Sequence, residues 1–536
     1  MFLNSIAVWR MSSFIRKGFR FNLTNNLCCK AVHDADTIFA LSSGHGRCGV
    51  AVVRVSGPAS ALLLRSMAGP RGLPPSRTAV LRNITDPRSQ ELLDRGLVLW
   101  FPGPRSFTGE DSAEFHLHGG PAVITGVLQA LGNVPGVRPA EAGEFTRRAF
   151  HAGKLDLTEV EGLGDLIHAE TEAQRRQALR QMEGDLSRLY QGWSQRLARG
   201  LFYAAAGKNT IQDVFLWAVT HCFSRMAQSL AHMEAFIDFS EDELIEEGVL
   251  NEVDLSVLQL QSEIEGHLQD GRRAERLRSG VQAVIAGVTN AGKSSFLNLL
   301  CQRPAAIVSP TAGTTRDVVE TSLNIGGFPV VLSDTAGLRD TVDSVEMEGV
   351  RRAKERVQLA DVTLVVVDST QLPQNYEGVQ IFLTNHLRSI LPNGDDWIAS
   401  LQRCLLVLNK KDLLSKEAVD SLQKSISQAE DLPPASLLSC LTGDGLDHLL
   451  DLLQDRMRTL CGDPLVGSVS LTQARHRCHL QQCVRALSLY HTYRNMDLAL
   501  AAESLRLALT SVGRITGKVG VEQILDMIFR DFCIGK

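Results

Sequence analysis

Residues 287–294 read Gly-Val-Thr-Asn-Ala-Gly-Lys-Ser, between an apolar run, Val281-Gln-Ala-Val-Ile-Ala-Gly287, and the helical pattern Ser294-Ser-Phe-Leu-Asn-Leu-Leu. Strand, glycine-rich turn and helix in that order let backbone N–H groups wrap a phosphate chain at a helix N-terminus. The motif therefore commits its surroundings to an α/β domain whose strands deliver loops to one edge. Gly287 and Gly292 supply the turns, and Lys293 offers a point charge to the β and γ phosphates. Ser294 and Ser295 open the helix, with Ser294 suited to ligate Mg²⁺.

Three further segments narrow the nucleotide. Asp334-Thr-Ala-Gly337 follows the strand-like FPVVLS, where a carboxylate can hold the Mg²⁺ shell and the Gly337 amide can sense the γ-phosphate. Gly313-Thr-Thr-Arg-Asp317 lies at switch spacing, where a threonine can close over the metal and the γ-phosphate. Asn409-Lys410-Lys411-Asp412 ends the apolar run CLLVLN. A carboxylate at Asp412 accepts both guanine N1–H and the 2-amino group, a donor pair that adenine lacks. Ser439-Cys-Leu stands where many GTPases carry Ser-Ala-Lys, so backbone contacts to the base are expected near Ser439. The four elements together define a GTP-binding domain.

Its hydrolytic machinery departs from the Ras pattern, in which a glutamine after the DTAG-like segment orients the attacking water. Here Leu338 follows, and Asp340, Asp343, Glu346 and Glu348 are the carboxylates downstream. Spacing does not choose among them. Asn290 brings a side-chain carbonyl beside the phosphates, either as a ligand for a monovalent cation or as a brace for the loop.

At 536 residues the chain has room for three or four domains of the usual ~100–200 residues. The runs TIFALSS, GVAVVRVSG, RGLVLWFPG and AEFHLHGG read as strands; from Leu155 to Arg278 the texture is helical, and helical periodicity returns after Pro464. The expected class is a multidomain α/β and α+β protein. A β-rich domain spans 34–153, a discontinuous helical domain spans 154–279 and 461–536, and a GTPase domain at 280–460 is inserted into it. Residues 1–33 hold Arg10, Arg16, Lys17, Arg20 and Lys30, no carboxylate and many apolar side chains, the make-up of a mitochondrial transit peptide.

No run of 18 uncharged apolar residues exists to span a membrane. The 11 cysteines lack paired C-x-x-C spacing, which fits a reducing compartment; Cys478 and Cys483 beside His476 and His479 are the nearest approach to a metal cluster. The formal charge of −5 excludes a basic RNA coat. Loss of residues 1–33 would move it to about −10, so RNA would have to be held by local patches or by a partner. Candidate patches are Arg175, Arg176 and Arg180; Arg272, Arg273, Arg276 and Arg278; and Arg475 and Arg477.

The chain also carries GRCGVAVVRVSGP, SFTGEDSAEFHLHGG, RPAEAGEFTRRAF, GKLDLTEVEGLGDLIHAET, IDFSEDE, DTAGLRD and a terminal FCIGK. With these it resembles the MnmE/TrmE family of tRNA-modification GTPases, most closely its mitochondrial members, from about residue 36 to 536. The resemblance implies an N-terminal folate-binding and dimerising domain and a helical domain with an inserted G domain. It implies modification at C5 of the wobble uridine of mitochondrial tRNA, of taurinomethyluridine type, in the matrix. 5,10-Methylenetetrahydrofolate would give the one-carbon unit, and the partner would be an FAD-bearing protein of the MnmG/GidA type.

Carried over by motif, Asn290 is the K⁺ ligand, and Thr314, Thr315 and Arg316 lie in the switch loop around that ion. Mg²⁺ then falls to Ser294, Thr315 and Asp334, and Glu346 becomes the water-orienting carboxylate. K⁺-dependent hydrolysis activated by homodimerisation is implied as well. The folate positions are Arg54, Glu114, Lys154 and Lys536. A carboxylate suits the amidine-like edge of a pterin, and cations suit a glutamate tail. Lys536 would have to dock back on the N-terminal domain, and Cys533 is a candidate thiol for the uridine chemistry, against a plain buried thiol.

The stretch Gly200 to Gln228 departs from the family, whose members run directly from the helix before it to LAHMEAFIDFSEDE. The competing expectation is an RNA-binding GTPase assembly factor of mitochondrial ribosomes without folate chemistry. Gly517-Lys-Val-Gly520 offers it a GxxG, but helical sequence flanks that turn where a KH module needs strands.

Overall fold

The computed structural model describes residues 36–44, 46–69, 72–206, 247–269, 272–302, 306–307, 320–334, 355–373, 375–391, 397–429, 431–462 and 473–519, with Ile528, Phe532 and Gly535. The transit-peptide segment, most of the 200–228 stretch, and Thr314, Thr315, Arg316, Gly337, Glu346, Cys533 and Lys536 lie outside the described residues. Two compact units are formed: one runs to Val160 and takes in residues after 520, the other is Glu161–Val519.

In the first unit, β1 (Thr37–Leu41), β2 (Cys48–Ser56), β3 (Val80–Thr85), β4 (Leu92–Phe101), β5 (Ser112–Gly119) and β6 (Val137–Pro139) form a six-stranded sheet ordered β3-β4-β5-β2-β1-β6. Only the β1–β6 pair is parallel. Period-two alternation decides its faces. Phe115 and Leu117 of β5 are buried with Val53 and Val55 of β2, under Leu63, Leu64 and Met67 of helix α1 (Ser60–Met67) and Val127 and Leu131 of α2 (Pro121–Gly132). The other face carries Arg54, Glu114 and His116. The end of the chain returns to this unit: Ser42 Oγ donates to the Gly535 carbonyl (2.9 Å). Gly535 has φ +102°, and a Cβ there would sit 2.2 Å from the Leu41 carbonyl oxygen, so only glycine fits. Helices α3 (Glu144–His151) and α4 (Leu157–Ile167) follow β6.

The second unit opens with α5 (Glu172–Met182), started by a Thr171/Gln174 capping box, then α6 (Asp185–Ala206) and α7 (Glu247–Gln269). After the α/β region come α14 (Ala474–Tyr493) and α15 (Leu498–Thr516). Tyr190, Trp193 and Leu197 of α6, Leu260 and Ile264 of α7, Leu487 and Tyr490 of α14, and Leu505 and Val512 of α15 share one core. Helices from both sides of the α/β region thus bury their apolar stripes against each other, as an insertion requires. A buried polar staple adds to this: Glu161 on α4 accepts from Arg475 (2.9 Å) and lies 2.8 Å from His476 Nε2, both on α14. Burial alone would raise the Glu161 pKa, but His476 and Arg475 outweigh it and hold the carboxyl below the usual range.

Between these helices, α8 (Arg273–Ser279) leads into a seven-stranded sheet ordered β13-β12-β11-β7-β10-β9-β8. Its strands are β7 (Val281–Ala286), β8 (Ala306–Ile307), β9 (Glu320–Ile325), β10 (Phe328–Asp334), β11 (Val362–Asp368), β12 (Cys404–Asn409) and β13 (Ala435–Leu437). Strands β10, β7, β11, β12 and β13 run parallel. β11 and β12 are buried at every position, which explains why they read as unbroken apolar runs. The helices here are α9 (Lys293–Cys301), α10 (Tyr376–Ile390), α11 (Trp397–Gln402), α12 (Lys416–Gln428) and α13 (Leu446–Cys461). The stretch from Tyr376 to Gln402, which matches no motif, is the pair α10 and α11.

Candidate functional site

The parallel strands bring the sequence motifs to one edge. β7 ends at Ala286 and hands over to the glycine-rich loop; α9 begins at Lys293. Gly287 has φ +149° and Gly292 φ +98°. A Cβ on Gly287 would meet the Val366 carbonyl oxygen at 2.4 Å, and one on Gly292 would meet Asn409 Nδ2 at 2.1 Å. Both glycines are therefore demanded by close approach as well as by backbone sign. Asn290 also has a positive φ, +64°, a conformation asparagine tolerates better than other side-chain-bearing residues. Its side chain is exposed, as are Ser294 and Ser295. The Lys293 ammonium donates to the carbonyls of Gly287 and Val288, both at 2.8 Å, and so lies at the loop. Asp334, the last residue of β10, stands opposite Ile285 in parallel register, at the same edge.

Asn409 ties this loop to the end of β12 and to the loop after β13. Its Nδ2 donates to the Ala291 carbonyl (2.9 Å), and its Oδ1 accepts from the Cys440 amide (3.0 Å). One buried amide thus fixes the phosphate loop, the end of β12 and the loop after β13. Ser439 Oγ donates to Asp412 Oδ1 at 2.5 Å, and the Thr442 amide donates to Ser439 Oγ, so the carboxylate is oriented by the loop it faces. Lys410 has φ +68° and pairs with Asp368 at 2.6 Å. Burial pushes Asp368 up, but the Lys410 ammonium and the Thr370 hydroxyl and amide prevail and keep it ionised below the usual range. Asp368 was not a sequence candidate. Its signal is the carboxylate that ends VTLVVVD beside β12.

A second polar site lies in the first unit. Arg54 and Glu114 are cross-strand partners on β2 and β5, with Arg54 Nε donating to Glu114 Oε1 at 3.0 Å. The guanidinium lies 5.7 Å from the Phe107 ring centroid and 5.8 Å from that of Phe145, and His116 Nε2 is 3.4 Å from Glu114 Oε2. Beneath it, Arg148 donates to Glu110 (3.0 Å) and Glu144 (3.0 Å), and Ser56 donates to Glu110 (2.9 Å). This network holds the SFTGED loop, and with it Phe107, against the sheet. Lys154 is exposed just beyond α3, with its Cε 3.6 Å from where a Gly109 Cβ would be. Phe107 and Phe145 escape sequence reasoning because their proximity to Arg54 depends on loop return and strand pairing.

The arginine patches fare differently. Arg175 and Arg176 pair with Glu172, Arg180 with Asp185, Arg276 with Asp361, Arg278 with Asp165, Arg475 with Glu161 and Arg477 with Glu275. The guanidiniums of Arg180, Arg276, Arg278, Arg475 and Arg477 join one segment to another, while those of Arg175 and Arg176 pair within α5. His476 and Cys483 are likewise core groups, the burial of Cys483 raising its thiol to about 12. No cluster of three metal-ligating side chains occurs among the described residues. Gly517 caps α15 in the left-handed conformation, leaving GKVG as a helix end.

A glycine-rich loop between strand and helix, an asparagine clamp and a carboxylate oriented by Ser439, all at the carboxyl edge of a mostly parallel sheet, define a P-loop GTPase. Two family models match the chain: GTP-binding protein TrmE N-terminus over residues 37–154, and MnmE helical domain over 157–207 and 209–533. The chain belongs to the MnmE/TrmE family. It is 64% identical to the Danio rerio "5-taurinomethyluridine-[tRNA] synthase subunit GTPB3, mitochondrial", with 96% of each chain covered. Its identity to the Homo sapiens protein of the same description is 55%, over 93% of each. The Rhodospirillum rubrum "tRNA modification GTPase MnmE" is 46% identical over 94% of this chain and 99% of that one.

Proposed function

We propose that this chain is the GTP-hydrolysing component of a mitochondrial complex that modifies C5 of the wobble uridine in tRNA, giving a taurinomethyluridine-type product. The observation that carries the reading is near-full-length identity of 64% to a protein described as a subunit of such a synthase, in a chain whose Asn409 side chain clamps the glycine-rich loop to the loop after β13. Within the domains read from sequence, 34–153, 154–279 with 461–536, and 280–460, each part has a task.

In the GTPase domain, Asp412 and Ser439 select guanine, Lys293 neutralises phosphate charge, and Ser294, Thr315 and Asp334 hold Mg²⁺. The exposed side chain of Asn290, on a backbone held at positive φ, suits a K⁺ ligand. Glu346 orients the water, Thr314 and Arg316 lie in the switch loop around the K⁺, and homodimerisation activates hydrolysis. A bound K⁺ supplies positive charge at the developing transition state, as an arginine finger does elsewhere.

Arg54 and Glu114 fit a ligand that pairs a cyclic amidine with carboxylates, as 5,10-methylenetetrahydrofolate does. Glu114 meets the heterocycle edge, Arg54, Lys154 and Lys536 the anionic tail. The partner in this chemistry is an FAD-bearing protein of the MnmG/GidA type.

The test is mass spectrometry of mitochondrial tRNA from cells lacking the protein. Wobble uridines should be unmodified, and an intact modification would sink the proposal. Normal tRNA modification with failed ribosome assembly would favour the assembly-factor reading, for which Gly517 as a helix cap gives no support.

A further inference from the structure

With seven of the sequence-visible arginines paired to carboxylates, another pair stands out. Arg403 lies between α11 and β12, and Arg456 lies on α13; neither has an ion-pair partner among the described residues. Both line one cleft of about 760 Å³ with Gln358 and Gln402. The cleft is at the amino-terminal edge of the parallel strands, since β12 starts at Cys404 and β13 at Ala435, opposite the nucleotide edge. One arm of each guanidinium is fastened: Arg403 donates to the Gln358 carbonyl (3.4 Å) and Arg456 to that of Gln402. A guanidinium has five N–H donors in a planar fork, so donors remain on both.

The local charge is not compensated. Arg456 is partly buried, and that burial, with the nearby Arg276 guanidinium, pushes its pKa below the ordinary value. Arg276 already engages Asp361 at 2.8 Å, so that carboxylate is not available to Arg456. An anion in the cleft would relieve the repulsion and take forked hydrogen bonds. The cleft is broad and open, with no aromatic side chain to stack a base, which suits backbone contact better than base reading. A molecule of net charge −5 draws RNA by no overall field, so such a contact has to be local.

We propose that Arg403 and Arg456 form a phosphate-binding cleft that contacts the backbone of the RNA substrate. The inference rests on the tRNA reading above. Its test is filter binding of an unmodified tRNA transcript to the full chain across about 50–250 mM KCl. In the Arg403→Gln/Arg456→Gln double variant the slope of log affinity against log salt should become shallower by about 1 to 2, with affinity about tenfold weaker at low salt. GDP affinity should not change. Arg403→Lys/Arg456→Lys, which keeps both charges, should keep most of the slope.

An unchanged slope in a folded double-Gln variant overturns the proposal; a lowered melting temperature with that same slope would mark the arginines as helix caps only. Inorganic phosphate bound in the cleft, with tRNA affinity unaltered by the substitutions, overturns it in favour of a small-anion site. Absence of salt-dependent RNA binding by the wild-type chain also overturns it. The tRNA modification assay in cells lacking the protein judges the underlying function separately.

Discussion

Asp412 and Asn409 are both fixed by the loop after β13, Ser439 donating to the one and the Cys440 amide to the other. Asp412 was legible as a candidate for the guanine contact from the order of residues alone, because that task is chemical and needs only a carboxylate after a strand. The clamp made by Asn409 was not, since it bonds a residue 118 positions away and an amide 31 positions on. In Asp412→Asn the carboxylate that accepts two guanine donors is lost, while Ser439 still finds an oxygen. GTP affinity should fall about a hundredfold and xanthine nucleotide affinity should rise. Competition binding with the two triphosphates reads this directly, and unchanged GTP affinity would refute the base assignment.

At the scale of elements, periodicity revealed the strands and helices, but not which of them touch. Strand β5 is the clearest case. Alternation in AEFHLHGG puts Glu114, His116 and His118 on one face, a pattern that a solvated edge would equally show. In the sheet β5 lies between β4 and β2, so the polar face belongs to an interior strand and Glu114 meets Arg54 across it. The Glu161 staple is similar: its partners are 314 and 315 positions away.

Removing one member of such a buried set leaves charge without compensation, so Glu161→Gln should cost about 3 kcal/mol. Hydrogen exchange of the α14 amides should accelerate accordingly. Because the folded carboxyl titrates below its ordinary 4.5, the unfolded chain binds more protons in that window. The stabilisation is present above the ordinary value and is lost as pH falls through the lower folded one. Glu161→Gln should remove this acid-side loss; an undiminished pH dependence of α14 exchange would show that Glu161 is not its source.

For the whole molecule, the inserted arrangement of the α/β region was visible as a change and return of sequence texture. The return of the chain end to the first sheet was anticipated only through the family resemblance, and for Lys536 rather than Gly535. Gly535→Ala would drive a Cβ into the Leu41 carbonyl from a backbone of positive φ. Carboxypeptidase should then digest past Phe532 faster than in the parent chain, and equal resistance would mean that the seat on Leu41 and Ser42 is not what holds the end.

That seat also sets a timetable. Ser42 and Gly535 are 493 positions apart, and a ribosome adding about 5 to 20 residues per second needs roughly 25 to 100 s to make the second after the first. Through that interval Ser42 is held by β2 alone and lacks its bond to Gly535, so this unit emerges early and is finished late. Any pause, truncation or premature release between the two leaves a sheet made but not closed.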